Sequence, residues 1–129
     1  MFSSVVWIDS KHVKIFNISA EGIKKIHHEL SKDKSSNYGH NGVHKKTVEE
    51  SFFKKIISEI TSADEIVVFG SGPTHIHFKH YLEQHNKSLV KKVVANETLE
   101  EMTDNQILEK SRPLFKKFNL YNDGLEPIS

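Results

Sequence analysis

Residues 64–82 read DEIVVFGSGPTHIHFKHYL, and this stretch decides the fold. Residues 66–70 (IVVFG) are apolar or small without alternation, the pattern of a strand covered on both faces. Gly70-Ser71-Gly72-Pro73 then stops the strand: glycine permits positive φ and close approach of a neighbour, and Pro73 presets the φ of a first helical residue. The spacing predicts a helix over about residues 73–84, with Ile76, Phe78 and Leu82 near the core and Tyr81 at its edge. Backbone amides at the start of such a helix can hold an anion, so the turn is a candidate binding element as well as a fold signal.

Upstream, Thr47-Val48-Glu49-Glu50 carries the Thr-x-x-Glu pattern of a capping box and predicts a helix start. Val48, Phe52, Phe53, Ile56, Ile57 and Ile60 give that helix one apolar stripe. Residues 31–46 (SKDKSSNYGHNGVHKK) have almost no apolar content and read as a mobile loop. At the N-terminus, residues 5–9 (VVWID) and 13–18 (VKIFNI) are β-rich runs separated by Ser10-Lys11-His12, a hairpin spacing. Residues 23–30 (IKKIHHEL) fit helical spacing, but their place after a hairpin and a turn favours a third antiparallel strand.

Downstream, residues 90–96 (VKKVVAN) predict a strand with Val93, Val94 and Ala95 as its buried centre. Residues 97–102 read as a connection. Thr103 and Gln106 then repeat the capping logic before a terminal helix whose apolar face is Ile107, Leu108, Leu114, Phe115 and Phe118. Pro113 should kink or divide that helix, and residues 119–129 read as a frayed tail. A hairpin followed by alternating helices and strands predicts one α/β domain over residues 1–129, layered around a mixed sheet.

The composition narrows the function classes. With 36% hydrophobic and 27% charged residues, the 129-residue chain reads as a soluble globular domain. It lacks the apolar runs of a membrane protein or a secretory signal. Cysteine is absent, which removes disulfides and thiolate metal sites and fits the cytoplasm. A formal charge of +1 argues against binding nucleic acid by bulk electrostatics alone.

The candidate sites are sparse. The glycine turn lacks the Lys and Ser/Thr of a Walker loop and the third glycine of a dinucleotide fingerprint. Nine histidines invite a metal reading, yet no His-Glu-x-x-His pattern occurs. His40 and His44 could close on a metal from the loop, and His77 and His80 share an i, i+3 spacing. There is no Gly-x-Ser-x-Gly elbow. Asp9, at the end of the first strand, resembles the carboxylate of metal-dependent nuclease folds, but its partners are not evident.

Several short motifs agree in order and spacing with a known family. The VVWID and VKIFNI runs, the turn at Gly70 to Gly72, Tyr81-Leu82, and the segment from Glu97-Thr98 through Thr103-Asp104 and Gln106 carry the likeness over roughly residues 4–118. The chain resembles small bacterial proteins related to domain three of the archaeal and eukaryotic peptide-chain release factors and Pelota, often labelled translational machinery or host-attachment proteins. The resemblance implies a three-layer α/β/α fold similar to the kink-turn-RNA-binding ribosomal proteins, and a link to the ribosome. Where the family turn runs Gly-Pro-Gly and then lysine, this chain has Gly70-Ser71-Gly72, with His75 in the lysine position. Glu100-Glu101-Met102 replaces an Asp-His-Pro run.

The leading expectation is a non-enzymatic, translation-associated module that docks on the ribosome, RNA or a protein partner and needs no cofactor. Its binding surface would be Gly70, Ser71, Gly72, Thr74, His75 and Lys79, with Thr103 and Asp104 nearby. The alternative is a metal-dependent hydrolase or nuclease using Asp9 and the loop histidines His40 and His44. A homo-oligomer paired through the hairpin edge is a third expectation.

Overall fold

The computed structural model describes residues 2–30 and 42–116, with 42–48 described as backbone. Strands β1 (Ser3–Ile8), β2 (His12–Ser19) and β3 (Gly22–Glu29) form an antiparallel meander, followed by helix α1 (Gly42–Ile60). Strand β4 (Glu65–Gly70), helix α2 (Thr74–His85), the one-turn helix α3 (Lys87–Val90) and β5 (Val93–Thr98) come next. Helix α4 (Asp104–Ser111) runs into a 3-10 turn at Arg112–Leu114, the break that Pro113 demands.

The five-stranded sheet has the order β3-β2-β1-β4-β5. β1 pairs antiparallel with β2 and parallel with β4, and β4 pairs parallel with β5, so the sheet is mixed. Every residue of β1 and β4 is buried, as the unalternating IVVFG run requires of a central strand. Alternate side chains of these strands feed two cores. Val6, Ile8, Val13, Ile15, Ile66 and Val68 meet Phe52, Phe53, Ile56 and Ile60 of α1 and Phe78 and Leu82 of α2 on one face. Val5, Trp7, Phe16, Val67 and Phe69 meet Ile107 and Phe115 on the other. The result is the expected three-layer α/β/α arrangement. Asn17 seats α1 on the sheet, accepting from Ser4 Oγ at 2.6 Å and donating to the Glu59 carbonyl at 3.2 Å.

Several boundaries differ from expectation, each for a physical reason. Helix α1 begins at Gly42, so Thr47 lies inside it and the Thr47–Glu50 pattern does not start it. Residues 43–46 contain neither Gly nor Pro, and lysine is a good helix former, so low apolar content there does not mean loop. The remainder of the expected loop, residues 31–41, and the expected tail, residues 119–129, lie outside the described residues. Val90 belongs to α3, and β5 starts three residues later and runs on through Glu97 and Thr98. Because β5 is an outer strand, Val93, Val94 and Ala95 are half-buried rather than buried. Ile76, expected near the core, is 44% exposed, because α2 turns its His75, Phe78 and Leu82 stripe to the sheet. Among the described residues, no helix is long and apolar enough to cross a membrane.

Candidate functional site

The three parallel strands stop side by side, Ile8 opposite Gly70 and Gly70 opposite Thr98. In open α/β sheets the chain segments leaving such carboxyl ends form the usual ligand crevice. Here they are the Asp9-to-His12 turn, the glycine turn, and residues 99–103 after β5. The last is drawn in by two bonds, Leu99 N to the Gly70 carbonyl at 2.8 Å and Trp7 Nε1 to the Leu99 carbonyl at 3.0 Å.

The glycine turn is shaped by contact. A Cβ at Gly70 would collide with the Ile8 carbonyl oxygen and lie 2.7 Å from the His75 Cβ, so only glycine lets α2 start this close to β1. Gly72 has φ of +70° with open space around it, a backbone requirement rather than a packing one. Pro73 caps α2 without a side-chain bond, and its carbonyl accepts from Ile76 N and His77 N, both at 3.0 Å.

His75 follows at once and is 2% exposed. Asn96 Nδ2 donates to the His75 carbonyl at 3.2 Å, which turns Asn96 Oδ1 towards the ring, 2.5 Å from His75 Nδ1. That orientation places a ring proton on Nδ1, while Nε2 pairs with the Thr98 hydroxyl at 3.3 Å. The His75 imidazole is thus a clamp between α2 and β5, with both nitrogens engaged. Thr74 is buried beside it, while Ser71 is half-buried and Gly72 and Lys79 are exposed.

Thr103 and Asp104 lie across the sheet from this turn. Thr103 makes the complete expected capping box, accepting from Gln106 N at 3.2 Å while its own amide donates to Gln106 Oε1 at 3.0 Å. Asp104 takes Lys25 at 2.7 Å and Lys14 at 3.6 Å. Its hydrogen bond to Lys25 outweighs partial burial and holds its carboxyl below the ordinary value. The eight expected site residues therefore split into a glycine-turn group on the α2 face and a capping pair on the α4 face.

Around Asp9 the structure assembles a group that sequence reasoning missed. Asp9 Oδ1 accepts from the backbone amides of Lys11 and His12, both at 2.8 Å. His12 Nδ1 lies 3.6 Å from Asp9 Oδ1, and Nε2 lies 3.1 Å from Glu101 Oε2. The His12 ring stands 5.4 Å from both Trp7 and His27. Lys14 reaches Glu101 at 3.2 Å. Burial opposes ionisation of Glu101, but its bonds to Lys14 and His12 outweigh that and hold its carboxyl below the ordinary value. Of the two loop histidines, His40 lies outside the described residues, and the backbone of His44 falls in the first turn of α1.

One signal in the sequence marks a partner of His75: Asn96 is a polar residue ending a strand whose expected centre is apolar, whereas Glu101 carries no local mark of its meeting with Asp9. A cleft of about 660 Å³ lined by Phe2, Asn17 and the β2–β3 turn sits at the opposite end of the sheet and touches neither group.

No protein-family model and no curated protein matches the chain. Solved structures do. The Pelota protein of Archaeoglobus fulgidus aligns with a TM-score of 0.64 and 12% identity, covering 98% of this chain and 36% of that one. The Pelota protein of Thermoplasma acidophilum gives 0.58 and 17%, covering 86% and 32%. The chain spans about a third of the length of these proteins, and what it shares with that third is the fold.

Proposed function

We propose, from this Pelota-like fold, that the chain is a translation-associated binding module without catalytic activity. Its docking surface is the end of the sheet where β1, β4 and β5 stop, and its partner is the ribosome, through RNA or protein, in the cytoplasm. The observation that carries this reading is the likeness itself, which extends over 98% of the chain. The side chains support it. His75, Asn96 and Thr98 are spent on one another, and Thr103 on its cap, which builds a rigid platform. Gly72 and Lys79 are exposed on its rim, suited to an anionic group held by backbone and one cation.

Sedimentation of tagged protein through a density gradient of lysate, with and without nuclease, tests the reading. The protein should travel with ribosomal particles, and Lys79→Glu should weaken that association. RNA retention on a filter should fall with rising salt. Protein that stays at the top of the gradient and retains no RNA at low salt refutes the proposal. Self-association through β3 is less favoured, because Lys24 and Lys25 charge that outer strand against edge pairing.

A further inference from the structure

We propose that Asp9, His12 and Glu101 bind a divalent transition-metal ion of the zinc or cobalt(II) type. The site stands independently of the docking reading. One donor atom from each residue lies within 4.8 Å of the other two. Ligands about 2.1 Å from a shared ion are separated by roughly 3–4 Å; Asp9 faces His12 Nδ1 at 3.6 Å and Glu101 faces Nε2 at 3.1 Å, so a shared ion requires Glu101 to swing along the ring edge to the nitrogen that Asp9 faces. One imidazole and two carboxylates suit zinc and its neighbours, whereas magnesium and calcium favour oxygen alone.

The fold has already brought the donors together from three separate segments: the end of β1, the start of β2 and the connection after β5. Two of them are held in place. Asp9 is fixed through Oδ1 by two backbone amides, and the His12 ring is set between Trp7 and His27. Glu101 is the adjustable donor, with 47% of its side chain exposed against 18% for Asp9 and 20% for His12. That exposure leaves water access to the remaining coordination positions.

Charge is the main obstacle, and the structure contains its resolution. Lys14 lies 3.2 Å from Glu101 and would oppose a second cation there, but Asp104 already stands 3.6 Å from the same ammonium. A metal ion takes over Glu101 as Lys14 moves fully to Asp104. His27, exposed on β3 beside His12, is the nearest further imidazole.

The chain's single tryptophan is Trp7, whose ring centroid is 5.4 Å from that of His12, so it reports on an ion bound at this site. Full-length protein is titrated with Co²⁺, an open-shell ion that quenches indole emission at short range, and then with Zn²⁺. Saturable quenching at one equivalent, reversed by Zn²⁺, is expected. Asp9→Asn and Glu101→Gln leave the Trp7–His12 ring pair in place, and each should weaken binding at least about tenfold. His80→Ala, on exposed α2 surface, should leave it unchanged. Circular dichroism establishes that the variants fold. If Asp9→Asn does not, because of its turn, Glu101→Gln and Glu101→Ala carry the comparison. Quenching that never saturates, or that keeps its midpoint in the Glu101 variants, overturns the site. So does one equivalent of bound metal that leaves Trp7 emission untouched.

Discussion

Removing Asn96 should cost more than its place on an outer strand suggests, because its side chain completes the His75 clamp. In Asn96→Ala the His75 Nδ1 proton loses its acceptor at 2% exposure, and the His75 carbonyl loses its donor. A buried donor left unmade costs about 1–3 kcal/mol, so a total of about 2–3 kcal/mol is expected. His75→Ala removes the ring bond to Asn96 Oδ1, keeps the backbone carbonyl that Asn96 Nδ2 donates to, and leaves a ring-sized void over Gly70, for about 3 kcal/mol. The one shared bond, between the His75 ring and Asn96 Oδ1, can be lost only once, so the double variant should fall short of the sum by about 1–2 kcal/mol. Urea unfolding followed by emission of buried Trp7 measures all four states, and each kcal/mol should move the melting temperature by about 3–5 °C in a chain of this size. Losses that add within about 0.5 kcal/mol would refute the clamp, reducing His75 and Asn96 to neighbours without a joint bond.

Two further outcomes follow from geometry already described. Gly70→Ala should destabilise by about 2–3 kcal/mol, because backbone of β1 blocks the new methyl, whereas Gly72→Ala should cost about 1–2 kcal/mol, for its left-handed φ alone. Equal losses in the same urea assay would contradict that ranking. The carboxyls of Glu101 and Asp104 are held below their ordinary values of 4.5 and 3.8, so they bind fewer protons folded than unfolded. Their contribution is present above those values and is lost as pH falls below them through the folded values, so stability should drop with acid. Glu101→Gln and Asp104→Asn should each flatten the drop below about pH 4.5 in melting curves taken across pH, modestly, since both groups are more than a third exposed. An unchanged slope in both variants would show that other groups cause it.

The central strand and its turn are legible because the signals there are steric. An unbroken apolar run has no solvent face to present, and Gly70 answers a backbone contact that no side chain survives. The Thr103–Gln106 cap and the break at Pro113 are legible for the same reason: each concerns bonds within a few residues. Long-range partnership is what the sequence hides. Asp9 meets Glu101 only because β1, β4 and β5 end in register, and nothing local to either residue says so. His75 looks like a rim residue when read as a substituted lysine, and becomes a clamp only once Asn96 arrives beside it from β5. Composition misplaces the start of α1, since residues 44–46 are polar yet include no residue that forbids a helix.

The parallel pairing of β1 with β4 also sets the order in which the chain can fold. Residues 2–30 can assemble early as a meander of nearest neighbours, whereas β1 gains its second partner only when Glu65 to Gly70 arrive, about sixty residues later. Until then Val5, Val6, Trp7 and Ile8 present an apolar strand edge with open backbone groups. On a growing chain, that edge stays open until the IVVFG strand arrives to cover it.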